Sequence, residues 1–124
     1  MDMHEIARYS LAGIRLVNGA VALLAPNTLA QRLGIATGRD SGTSYTLPLF
    51  GVRTVLLGAE LLLVKDGAAL NRSLRLGTLI HASDVISAIR SGKNGDLPPR
   101  AAVIATAISS VNVALTFLAR EPSR

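Results

Sequence analysis

Residues 47–64 of the 124-residue chain read LPLFGVRTVLLGAELLLV. As an α-helix this stretch would be roughly 27 Å long, close to the hydrocarbon thickness of a bilayer. Its charges are Arg53 and Glu60. On an insertion scale its dozen or so apolar residues contribute roughly −0.3 to −0.6 kcal/mol each, and each mid-span charge costs up to about 3 kcal/mol. The two sums nearly cancel. Such a helix is stable in lipid only if its charges face protein or water and find partners. Arg53 and Glu60 share one helical face but stand about 10 Å apart along it, so each partner belongs on a neighbouring helix.

Three further apolar blocks of the same length flank this one. Residues 7–24 (ARYSLAGIRLVNGAVALL) stop short of Pro26, which cannot continue a helix. Residues 71–90 form the most polar block and are closed by Gly92, Asn94, Gly95 and the Pro98–Pro99 pair. Residues 100–119 carry no charge after Arg100. Between the first two blocks, residues 28–33 set Leu29 and Leu33, with Ile35, beside Gln31 and Arg32. That pattern predicts a short interfacial helix, followed by a loop at 38–44. The expected fold is therefore all-α: one domain, residues 1–124, folded as a four-helix transmembrane bundle with antiparallel neighbouring helices. A soluble bundle would need broad polar faces on all four helices, and 47–64 and 100–119 have none. A cleaved leader is not expected, since Asp2 and Glu5 make a poor basic start and Arg15 interrupts the apolar run.

Composition narrows the function classes. The mean hydropathy of +0.41 comes from aliphatic blocks. Two Phe, two Tyr and no Trp depart from the usual aromatic belts of spanning helices. The absence of Cys excludes disulfides and thiolate chemistry. The net charge of +5 is dispersed, with no basic cluster interleaved with aromatics, so no nucleic acid is expected as a partner. Loop Lys and Arg beside anionic head groups account for it instead. Counting basic residues near the block ends places Arg8, Lys65, Arg72, Arg75, Arg120 and Arg124 on one side. Arg32, Arg39, Arg90, Lys93 and Arg100 fall on the other. The expected location is the cell membrane, multi-pass, with both termini cytoplasmic.

If successive blocks alternate direction, helical rise puts nearly every polar residue of the blocks in one central layer. The layer comprises Arg15, Asn18, Arg53, Glu60, His81, Asp84, Ser109 and Asn112. Depth pairs Arg15 with Glu60 and Arg53 with Asp84. Gly77, His81, Asp84 and Ala88 form a small or polar stripe at helical spacing, as do Ala105, Ser109, Asn112 and Thr116. Such stripes let helices approach closely and bond across the interface. Glu60, His81 and Asp84 are the candidate acid–base groups, since buried ionisable groups are expensive and often functional. The alternative is that paired charges and a satisfied interior histidine are purely structural. No metal site is expected, because His81 would have only carboxylates beside it.

Gly13-Ile14-Arg15 followed by Asn18-Gly19-Ala20 also echoes Gly51-Val52-Arg53 followed by Gly58-Ala59, which suggests a pseudo-twofold relation between the first two blocks. The same residues carry a family resemblance. Arg15, Gly19, Leu24 and Pro26 in the first block, with Gly51, Arg53 and Gly58 in the second, make the chain similar to the DoxX-like group of small bacterial membrane proteins. The resemblance covers most of the chain. It implies a four-helix membrane bundle, some members being accessory subunits of quinone-linked oxidoreductases. This sequence has no cysteine pair, haem-ligand pair or nucleotide-binding loop, and no cofactor is expected.

The leading functional expectation is an accessory or scaffold subunit that binds a partner protein, a lipid or a hydrophobic small molecule through a polar-lined bundle. Homodimerisation is compatible with it. The alternative is a membrane enzyme or a proton or solute carrier that uses the buried Arg, Glu, Asp and His residues.

Overall fold

The computed structural model describes residues 1–38 and 41–120, which form five helices and, among the described residues, no strand. Helix α1 runs Met3–Leu24, α2 Pro26–Leu33, α3 Thr43–Leu63, α4 Gly67–Lys93 and α5 Pro99–Ala119. Local chemistry sets most of these limits. Asp2 and Glu5 form a reciprocal capping box at the start of α1, satisfying two of the orphan N–H groups there. Pro26 opens α2, where its missing N–H and fixed φ suit the first turn. Gly34 closes α2 at φ 74°, a left-handed position that glycine occupies without a Cβ clash. The Asp66 carboxylate accepts from the Ala69 N–H and starts α4.

The long helices all extend beyond the blocks read from the sequence. α3 begins four residues earlier than Leu47, so Thr43 and Ser44 are helical rather than loop, and Pro48 lies inside the helix. Proline at that point forgoes one early hydrogen bond, which the first turns of a helix tolerate better than its middle. The short helix between the first two blocks forms as expected and turns by 104° from α1.

The packing is uneven. α1 lies closely along α3, α4 along α5, and α1 joins the two pairs through α5, whereas α3 and α4 barely touch. At the α1–α3 crossing, Gly19 and Gly51 meet backbone to backbone. A Cβ on Gly19 would stand 2.8 Å from the Gly51 carbonyl oxygen, and one on Gly51 would stand 2.7 Å from that of Gly19. The approach is reciprocal, each glycine facing the other's carbonyl oxygen. Gly13, which the sequence echo sets opposite Gly51, has open space around it.

The interior is mostly small and polar residues around one apolar cluster that holds the fully buried Leu11, Leu61 and Leu74. Ala7, Ala12, Ala22 and Ala88 are buried, together with Arg15, Thr54, Ser73, His81, Asn112 and Thr116. The outer surface is the apolar one: Val17, Leu56, Leu79, Ile86, Val103 and Phe117 are all exposed. Two helices, α3 and α5, are long and apolar enough to cross a membrane, and α1 with α2 adds a third if the bent pair is one span. α4 carries Arg72, Arg75, His81, Asp84, Arg90 and Lys93 along its 27 residues and does not meet that standard.

Candidate functional site

Arg15 is the centre of the polar layer. It sits in the middle of α1 and is completely buried, 0% exposed. Gly58 and Gly77 make room for it. A Cβ on Gly58 would stand 3.0 Å from the Arg15 Cβ, and one on Gly77 would stand 2.7 Å from Arg15 Nη2. The guanidinium donates through Nη1 to the Leu57 carbonyl at 3.2 Å. It also presents Nε and Nη2 to Nε2 of His81, at 3.2 and 2.9 Å. Guanidinium has no acceptor, so Nε2 must offer its lone pair and the ring proton belongs on Nδ1. Nδ1 faces Asp84 Oδ2 at 3.5 Å and has no closer partner. Arg53 Nη2 then donates to the same oxygen at 3.3 Å, with its guanidinium 5.0 Å from the centre of the Phe50 ring.

The result is a chain of four side chains, Arg15–His81–Asp84–Arg53, that crosses the interval where α3 and α4 fail to pack. A carboxylate behind the imidazole makes it a better acceptor for Arg15, the same second-partner logic that orients histidines in metal and catalytic sites. His81 and Asp84 are two potential metal donors, and among the described residues no third His, Cys, Asp or Glu joins them.

The expected Arg53–Asp84 pair is present; the expected Arg15–Glu60 pair is not. Glu60 is exposed and makes no ion pair among the described residues. Depth was the wrong guide there, because azimuth decides. Gly51, Thr54, Gly58 and Leu61 form the buried stripe of α3, and Glu60 stands two residues, or about 200°, round from Gly58. The stripe on α4 is as expected, with Gly77, His81 and Ala88 buried and Asp84 half-buried. Ser109, Asn112 and Thr116 are buried on α5, where Asn112 Oδ1 has no partner.

Beside this chain lies a cavity of about 390 Å³. It opens between the α1–α3 and α4–α5 pairs and is capped by Leu29, Leu33 and Ile35 at the α2 end. Phe50, Leu47, Ile104 and Ile108 add apolar wall, and Asn18, Asp84, Ser87, Ser91 and Ser109 add polar groups. This volume is within the range of ordinary small-molecule pockets.

Three further contacts were not anticipated from the sequence. Arg8 donates through Nε to the Leu61 carbonyl and through Nη2 to that of Val64, satisfying the open end of α3. Thr78 Oγ1 donates to Thr116 Oγ1 at 2.9 Å, tying α4 to α5. His4 Nδ1 lies 2.8 Å from the Leu118 carbonyl oxygen. Of these side chains only Thr116 belonged to a recognised stripe; Thr78 lies beside one, Arg8 at the edge of the first block and His4 before it.

No family model matches the chain, and neither the characterised proteins nor the solved structures provide a match.

Proposed function

We propose that the chain is an integral membrane protein crossing the bilayer four times, which binds a hydrophobic small molecule or lipid chain without transforming it. The cavity of about 390 Å³ beside Asp84 carries this reading. Its support on the membrane side is the broadly apolar outer surface over an interior rich in small and polar residues, which suits helices packed in lipid. α4 then crosses with its charged ends at the interfaces and His81 and Asp84 turned to protein. α2 lies in the interface, and kinship with the DoxX-like group belongs to the same proposal.

Asp84 lines the cavity and touches His81, which gives the acid–base reading its one observation. Against it, the carboxylate is bound by Arg53 and the imidazole is held as an acceptor by Arg15. Glu60, the acid with no ion pair, is not among the cavity-lining residues. Binding is the better-supported function.

The test is native mass spectrometry of protein released from native-lipid nanodiscs. Wild type should retain one apolar molecule per chain, and Ala105→Phe, which fills the cavity, should not. Equal retention by both, or none by wild type, would refute the reading.

A further inference from the structure

The cavity wall is mostly apolar. Its polar groups are Asn18 of α1, Asp84, Ser87 and Ser91 of α4, and Ser109 of α5. Leu29, Leu33 and Ile35 line it from the α2 side. On α4 the cavity wall runs from Asp84 to Ser91, seven residues or about 10 Å of helix. Through Asp84 the cavity abuts the Arg15–His81–Asp84–Arg53 chain.

Three of these polar groups have unused bonding capacity. The Ser109 residue is only 9% exposed, yet its hydroxyl makes no hydrogen bond in the described structure. Asn18 has a half-buried amide that is likewise unbonded. Asp84 spends Oδ2 on Arg53 and His81, and Oδ1 has no partner. These atoms are open to the cavity, and a ligand that displaces water from them must replace its hydrogen bonds. Here the partner must accept from the Asn18 amide, exchange a hydrogen bond with Ser109 and donate to Asp84 Oδ1.

Among the described residues no Arg, Lys or His lines the cavity. An anionic head group would therefore meet a carboxylate and no facing cation. A cationic head would meet a carboxylate already neutralised by Arg53 at 3.3 Å. A hydroxyl both donates and accepts, and it has no charge to desolvate.

From this we infer that the cavity selects a neutral, hydroxyl-headed apolar molecule, its hydroxyl seated among Asn18, Asp84 and Ser109 and its chain directed toward α2. The inference rests on the cavity-binding function proposed above and names the ligand class.

Equilibrium binding of radiolabelled 1-decanol, decanoate, decylamine and decane is measured on the protein in lipid nanodiscs, with empty nanodiscs subtracted. 1-Decanol should bind saturably and about tenfold more tightly than the other three, the scale of one to two buried hydrogen bonds. Ser109→Ala and Asn18→Leu should each reduce that preference about threefold or more while decane binding persists. Should decanoate, decylamine or decane match 1-decanol in wild type, with Ala105→Phe still abolishing binding, the hydroxyl selection is wrong and the cavity function stands. If no probe binds saturably, or Ala105→Phe binds all four unchanged, the cavity function itself fails. The comparison of probes in wild type holds even if a variant does not fold.

Discussion

Gly51→Ala should weaken the fold by separating α1 from α3. The added Cβ would stand 2.6 Å from the Leu23 nitrogen, 2.7 Å from the Gly19 carbonyl oxygen and 3.0 Å from the Leu23 Cα. All three are backbone atoms, which cannot rotate aside. Comfortable non-bonded separations are about 3.5 Å or more, so the helices must part by roughly 1 Å. A gap of that size forfeits about a quarter to a half of the dispersion energy of the contacts it opens. Overpacking of this kind costs about 1–3 kcal/mol, and a rigid backbone contact belongs at the upper end. Alanine returns about 1 kcal/mol of helix propensity, leaving a net loss of about 2 kcal/mol. Gly13→Ala is the control of opposite sign. Its Cβ meets nothing within 4 Å, so only the propensity gain of up to about 1 kcal/mol remains. Unfolding by dodecyl sulfate in mixed micelles, followed by circular dichroism, measures both. The Gly19→Ala/Gly51→Ala double variant should lose about 1 kcal/mol less than the sum of the singles, because the first separation relieves the second clash. A Gly51→Ala protein as stable as wild type, or strict additivity, would refute the crossing geometry.

Two predictions concern the polar layer and its frame. His81→Leu should destabilise by about 1–3 kcal/mol, since Arg15 would keep only the Leu57 carbonyl. Adding Arg15→Met should recover part of that loss, because a buried cation without its acceptor is worse than an apolar pair; the same micelle unfolding run as a double-mutant cycle reads the coupling. Arg8→Gln should expose the end of α3 and cost about 1 kcal/mol, with faster amide hydrogen exchange confined to residues near Leu61 and Val64.

The inward stripes were legible in the sequence because they obey helical spacing and use residue types that suit close contact. Gly77, His81 and Ala88 on one helix, and Ser109, Asn112 and Thr116 on the other, are buried as that spacing requires. Arg53–Asp84 was legible for the same reason, since depth and face agreed. Arg15–Glu60 failed because matching depth says nothing about azimuth on α3. His81 was expected as an acid–base group beside Asp84 or as a satisfied interior histidine; its acceptance from Arg15 was not foreseen, because it depends on the room that Gly58 and Gly77 leave for the guanidinium between helices. The cavity's size and lining were not legible, although a polar-lined bundle and a helix break at Pro26 were expected. Leu29 and Leu33 reach it through the turn at Ala25, φ −136° and ψ 55°, an angle that the break alone does not specify.

The central claim is that α4, the helix too polar to qualify by composition, crosses the membrane with His81 and Asp84 turned inward and its Arg and Lys residues toward the interfaces. The chain contains no cysteine, so single cysteines at its two ends report cleanly. Asp66→Cys and Asp96→Cys, expressed in cells and treated with a membrane-impermeant maleimide before and after permeabilisation, locate the two ends. Four spans with cytoplasmic termini predict that position 96 reacts in intact cells and position 66 only after permeabilisation. If both positions react from the same side, α4 does not cross and the four-span bundle is wrong.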